Sequence, residues 1–326
     1  MKPRAVQLVL LLIVTGACRH APADMIFDMT TIGNPGNAPD APYPDPEVVL
    51  GSVSYVYQIS TYEVTVAQYT EFLNAVAASD PNGLYHGDMG TGFVDGGAFI
   101  NRSGTEGSYT YSAVSGKENQ PVRLVSFYDG LRLCNWLANG QGNGDTETGS
   151  YDLSLGINLT RNVGATWVLP SVDEWHKAAY YDSNTGTYTE YPNGRNTIEA
   201  PTDQTTPREL NFGGSMLSWQ GSVYFTSIGE TTGRSAYGVC DMGGNVEEWT
   251  DSEAPPGQGT SRMQCGGAYV TDASYLARAG ADSRDPASEG ESVGLRLAYI
   301  IPEPSSLLLL LTGGALCPFL RRRKSL

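Results

Sequence analysis

The sequence predicts an α+β fold of short strands, long loops and three main helices. Two observations predict it. The 39 glycines and 19 tyrosines among 326 residues favour a loop-rich body over a helical bundle. Within that body, three stretches place a capping residue ahead of a helical apolar pattern. The remainder is broken by Gly, Pro, Asn and Thr into runs that suit only brief strands.

Residues 1–23 read as a signal peptide. Lys2 and Arg4 precede an apolar run from Val6 to Val14, and "APA" then supplies the small residues at which signal peptidase cuts, after Ala23. Lipidation at Cys18 is the weaker alternative, because "VTGAC" lacks the leucine usual before such a cysteine. Residues 24–47 are rich in Gly, Pro and Asp and are expected to form an extended linker. The folded domain is expected over 48–299. It opens on "VVLGSVSYVYQISTYEV", whose strand-forming residues and Gly-Ser break suit a hairpin.

Thr65 is expected to cap the first helix. With Gln68 three residues on, it forms a capping box ahead of Tyr69, Phe72 and Leu73. Ser126 caps the second, in which Phe127, Leu131, Cys134 and Ala138 form one stripe, so Cys134 reads as a small buried hydrophobe. Ser171, after Pro170, caps the third, with Glu174 in the box position. Such caps are each worth about 1 kcal/mol, which makes them good markers of helix starts. From Asn184 to Gly238 the composition implies long loops around short strands, and loops of that length are usually functional or pinned by ions or packing.

Residues 300–326 mirror the N-terminus. Pro302-Glu303-Pro304 precedes an apolar run from Leu307 to Leu320, then Arg321, Arg322, Arg323 and Lys324. The run is shorter than the roughly 20 residues of a usual spanning helix, and the basic cluster would hold the end on the cytoplasmic side. Triplet, apolar run and basic end in this order resemble the PEP-CTERM sorting signal. That resemblance implies exosortase-type sorting machinery as a partner, transient membrane anchoring through the tail, and secretion to the envelope or extracellular matrix of a Gram-negative bacterium.

Several function classes are excluded or weakened. A net charge of −15 with few basic residues in the body argues against nucleic acid. No G-x-S-x-G elbow, H-E-x-x-H or P-loop occurs. In the body, His176 borders the apolar stripe of the third helix and reads as a satisfied core-edge residue; His86 lies in a glycine-rich loop and is expected to be exposed. Export leaves Cys134, Cys240 and Cys265 in an oxidising setting, with a Cys240–Cys265 bridge conceivable but not established by spacing.

Five stretches then align in order: "YQISTYEVTVAQYTEFLN", "QPVRLVSFYDGLRLCNWL", "WVLPSVDEWHKAAYY", "YGVCDMGGNVEEW", and "CGGAYV" with "VGLRLA". Together they resemble the formylglycine-generating enzyme (sulfatase-modifying factor) family from about Val48 to Tyr299. The resemblance implies a C-type-lectin-like fold and, in active members, copper- and oxygen-dependent oxidation of a sulfatase cysteine. The family's paired cysteines lie two and seven residues beyond the tyrosine of Gly-Gly-Ser-Tyr. Here the segment is Gly266-Gly267-Ala268-Tyr269, and the two positions hold Thr271 and Leu276. Glu247 stands where the family has the first Trp of Asn-x-Trp-Glu-Trp. Neither Thr nor Leu replaces a thiolate for Cu(I), so no copper is expected.

"DMGGNVEEW" matches a family loop that binds a structural calcium. The match implies as ligands the Asp241 side chain, the Gly244 and Val246 carbonyls and the Glu248 carboxylate, an oxygen set suited to Ca²⁺. Two function classes follow. One is a non-enzymatic surface module that binds an extracellular glycan or protein, or serves structurally. The other is a divergent oxidoreductase that keeps the family cleft. Tyrosines in "GSYTYSAVSG" and "YYDSNTGTYTEYPNG" suit stacking on sugars or peptides, although ordinary strand decoration accounts for them as well.

Overall fold

Each of the three capping boxes starts one of the long helices. The computed structural model describes residues 24–41, 49–92, 96–199, 208–213, 225–255 and 260–302. In it α1 spans Val66–Val76, α2 Phe127–Ala138 and α3 Val172–Tyr180. Thr65, Ser126 and Ser171 each accept from the backbone N–H three residues on, and Gln68, Asp129 and Glu174 reach back to the cap N–H. Asp129 thus completes the box at α2, and burial pushes its carboxyl up to about 7. Phe127, Leu131 and Cys134 face the core, as their stripe predicts. The signal peptide lies outside the described residues, as does the sorting tail beyond Pro302.

The strands, in order, are β1 (Met29–Ile32), β2 (Tyr57–Ser60), β3 (Ile100–Ser103), β4 (Thr110–Ala113), β5 (Trp167–Val168), β6 (Tyr181–Asp182), β7 (Thr187–Tyr188), β8 (Glu247–Glu253), β9 (Arg262–Cys265), β10 (Ala281–Arg284), β11 (Val293–Gly294) and β12 (Ala298–Ile300). A single turn, α4 (Ala273–Leu276), precedes β10. One four-stranded sheet has the order β1-β2-β12-β5 and another β10-β9-β8-β11; β3-β4 and β6-β7 are hairpins.

Two expectations change. The stretch read as a local hairpin contributes only β2, which pairs antiparallel with β1 and with β12. Its Tyr57 and Ile59 are fully buried, so long-range packing decides its partners. The segment expected to be an extended linker holds β1, and Met25, Phe27 and Ile32 join the core. The short apolar run "MIFDMTTI" makes this strand, ahead of the Gly-Asn-Pro-Gly turn that dominates the local composition.

One connection positions the site. β11 lies in the second sheet, parallel to β8, with Val293 opposite Glu247 and Gly294 opposite Glu248. After three intervening residues the chain enters β12 of the first sheet. Leu295, Arg296 and Leu297 therefore cross between the sheets, and all three are fully buried. The core around them contains Trp136, Trp175 and Trp249, with α2 and α3 packed on β8.

Candidate functional site

The loop from Cys240 to Trp249 is held by backbone conformation before any side chain is counted. Asp241 and Asn245 have φ of 52° and 61°, and Gly244 has φ of 79°. Asn tolerates this region better than most residues. Gly244 is required: its N–H donates to Gly266, and an added Cβ would run into the Asn211 carbonyl of the neighbouring segment. Asn245 is the hub of the turn. Its side chain donates to Glu63 Oε1 (3.1 Å) and accepts from the Thr226 N–H (3.1 Å) and the Asn211 amide (3.2 Å).

The cation facing these carboxylates is Arg296. Its Nε and Nη2 bond Glu248 at 2.7–2.9 Å, Nη1 bonds the Ser60 carbonyl at 2.8 Å, and Nη2 also reaches the Cys240 carbonyl at 3.0 Å. The Trp175 indole N–H donates to Glu248 Oε2 at 2.6 Å. The Arg296 and Glu248 side chains are 0% and 1% exposed, so this pair closes a sealed junction between α3, β2, β8 and the loop. Asp241 Oδ2 accepts from the Gly229 N–H at 2.7 Å, and Oδ1 from the Thr231 hydroxyl.

Glu63 completes the cluster from the β2–α1 connection. Burial, and then the charge of Asp241, pushes its carboxyl well above the usual carboxylate range. Its Oε2 is buried without a hydrogen-bond partner among the described residues. A proton on Glu63 brings the buried set of Glu63, Asp241, Glu248 and Arg296 closer to neutrality.

Calcium needs carboxylate oxygens free to face an ion. Both oxygens of Glu248 are bound to Arg296, with Trp175 on one of them, and both oxygens of Asp241 hold protein donors. In this arrangement Asp241, Gly244, Val246 and Glu248 share one loop, and the two carboxylates are engaged by protein donors. Among the described residues, no group of three or more His, Cys, Asp or Glu is disposed to hold a metal.

Thr271 and Leu276 come together. An added Cβ on Gly267 would lie 2.7 Å from Thr271 Oγ1 and 3.0 Å from Leu276 Cδ1, so both side chains cover the same glycine. The Thr271 hydroxyl bonds the Ala268 N–H and carbonyl, each at 2.9 Å, and Leu276 packs with Leu210 and Phe212. Cys134, Cys240 and Cys265 are buried free thiols, and burial pushes each thiol pKa up.

The histidines have structural partners. His176 Nε2 lies 3.0 Å from Asp40 Oδ2, and burial lowers its pKa. His86 is half-buried and accepts from the Asp88 N–H at 3.2 Å.

Residues 43–301 match the family described as "Sulfatase-modifying factor enzyme 1-like domain". The chain belongs to that family. Residues 301–324 match the PEP-CTERM protein-sorting motif. This sulfatase-modifying-factor-like protein therefore carries the signal for exosortase-type sorting, which directs proteins to the cell envelope or extracellular surface of Gram-negative bacteria. Among solved structures, that of CarF is similar at 20% identity over 85% of this chain and 99% of its own, with a TM-score of 0.55. Treponema denticola variable protein 1 is similar at 19% identity over 86% and 97%, also with a TM-score of 0.55. These likenesses show a shared formylglycine-generating-enzyme, C-type-lectin-like fold. No curated protein matches the chain.

Sequence patterns alone did not single out Glu63, Asn245 or Arg296. The available signal was Arg296 itself, a charge between two leucines in "VGLRLA". An arginine inside so apolar a run needs a buried acid, and Glu248 is the one it finds.

Proposed function

We propose that this exported family member is a binding or structural module of the envelope or extracellular matrix, without the family's cysteine oxidase activity. The observation that carries the reading is the pair Thr271 and Leu276, at the positions matched to the family's cysteines. One side chain closes a turn through its hydroxyl and the other fills an apolar cluster, and both cover Gly267. Cu(I) chemistry needs soft thiolates, and a hydroxyl with a leucine offers none. The buried, scattered thiols of Cys134, Cys240 and Cys265 make no substitute pair, because burial keeps them protonated.

The test incubates purified protein aerobically with copper and a sulfatase-type cysteine peptide. The peptide mass should stay unchanged, and Cu(I) titration should find no tight site. Converting both positions, Thr271→Cys with Leu276→Cys, should create tight Cu(I) binding absent from the parent. Peptide oxidation by the parent, lost on changes around Tyr269, would restore the divergent-oxidoreductase reading. The mature form is proposed to begin near Asp24, with the segment after Pro304 removed or held in the membrane. Intact-mass measurement on envelope fractions tests both ends.

A further inference from the structure

We infer that this module binds a neutral sugar residue in a cavity walled by α3, β8 and the chain around Thr160. The inference rests on the binding-module reading above and gives it a site and a ligand class. The cavity measures about 300 Å³, at the lower end of the range for small-molecule sites. It lies apart from the sealed Arg296 junction and from Thr271 and Leu276, none of which lines it.

Its wall is a fixed polar lattice. Arg161 donates through Nη1 and Nη2 to Glu174 at 2.9 and 2.7 Å, through Nη2 to the Leu169 carbonyl at 2.7 Å, and through Nε to Asp251 at 2.5 Å. The Tyr55 hydroxyl donates to Glu174 at 2.5 Å, and that of Tyr151 to Asp251 at 3.1 Å. Arg262, 2% exposed, holds the carbonyls of Asp251 and Ile157 at 2.9 Å. These contacts order the groups before any ligand arrives, which lowers the ordering cost of binding.

The chemistry left open selects the ligand. Asp251 Oδ2 takes both Arg161 and Tyr151, leaving Oδ1 without a protein donor among the described residues. Glu253 at the rim is 69% exposed, and Thr160 and Ser171 add hydroxyls. An anion is disfavoured, because the outer nitrogens of both guanidiniums already have acceptors, the unpartnered Arg262 Nε is buried, and Glu253 adds negative charge. A cation would meet Arg161 and Arg262. An apolar ligand would strip water from Asp251 and Arg161 without replacing its hydrogen bonds. Neutral hydroxyl pairs satisfy open carboxylate oxygens and hydroxyls together, while Leu159 and the half-buried Tyr55 ring offer apolar contact for the sugar's C–H face.

Of the tyrosines in the two stretches first suggested for stacking, Tyr111, Tyr180 and Tyr181 are buried, and the Tyr188 hydroxyl lies 2.9 Å from both the Ala38 and Gly51 carbonyls.

The experiment uses the purified full chain in mild detergent with glucose, galactose, mannose, their oligomers and the matching uronic acids, read by saturation-transfer NMR and calorimetry. Two exposed positions are changed: Thr160→Trp to fill the cavity and Glu253→Ala to remove the rim acid. Neutral sugars should bind the parent, and Thr160→Trp should weaken binding roughly tenfold or more, with a smaller loss for Glu253→Ala. Equal binding by the parent and Thr160→Trp would place the site elsewhere and overturn the inference, leaving the binding-module reading intact. Preference for uronic acids, or no sugar binding, would overturn the ligand class. Failure of the binding-module reading shows separately, as turnover of the cysteine peptide.

Discussion

Arg296 and Arg161 are both paired with glutamates on the elements that meet at α3, yet they do different things. Arg296 and Glu248 are sealed at 0% and 1% exposure, and every donor direction described ends on protein. Arg161 is 21% exposed, its partner Glu174 is buried at 0%, and Asp251 beside it lines a cavity with both of its protein donors on one oxygen. The sealed pair fixes where the two sheets and the glycine loop meet. The open pair presents the same chemistry to solvent on a rigid wall. The difference teaches that a buried ion pair becomes a candidate site only when one of its acceptors faces open space.

The largest effect should come from breaking the sealed pair. Arg296→Met leaves Glu248 buried without its counter-ion and should cost about 3–5 kcal/mol in urea unfolding, or prevent folding. Adding Glu248→Met should recover much of that loss, because the pair as a whole contributes little net stability over well-packed apolar groups. If the single and double variants are equally unstable, charge compensation is not what Arg296 does there.

The open pair should respond less. Arg161→Met should cost about 2 kcal/mol, because Glu174 keeps Tyr55 and the Ser171 N–H, and water in the cavity can reach the vacated space. A loss as large as that of Arg296→Met, measured in the same urea series, would erase the distinction between the two clusters.

Glu63 sharpens the comparison further, since its charge has no counter-ion of its own. Its folded pKa is raised, so its stabilising contribution is complete below its ordinary value of 4.5 and is lost as pH climbs toward the folded value. Glu63→Gln should therefore match the parent near pH 4 and gain on it progressively as pH rises above that value. Thermal melts of both proteins across that range read the difference directly. An advantage that instead grows toward acid would mean that Glu63 is ionised in the folded state.

The smallest expected effect is that of calcium. A site at 100 times its dissociation constant would add about 2.7 kcal/mol. With Glu248 held by Arg296, millimolar calcium and chelator should give melts that coincide. A calcium-dependent rise that disappears in Asp241→Ala with Glu248→Ala, and persists in Asp251→Asn, would show that an ion displaces those bonds.

Much of the fold was legible because its markers are local. Thr65, Ser126 and Ser171 announce helices within four residues, and the motif set from "YQIS" to "VGLRLA" carries the family. The candidate site was legible only in half. Asp241, Gly244 and Glu248 stand out in one loop, but their partners come from Glu63, 178 positions before Asp241, and Arg296, 48 positions after Glu248. Strand β1 was hidden for a similar reason: a four-residue strand has weak local signal and is stabilised by β2, which lies beyond a Gly-Pro-rich stretch.

By itself the sequence determined the sorting motif, the family, the α+β class and the helix starts, because each is a property of neighbouring residues or of a motif in order. Only the tertiary structure decided which cation faces Glu248, that Thr271 and Leu276 share Gly267, and that Asp251 lines a cavity while Asp241 is buried. Those facts depend on which side chains long-range strand pairing brings within about 3 Å, the reach of a hydrogen bond, and no short window of sequence contains both partners.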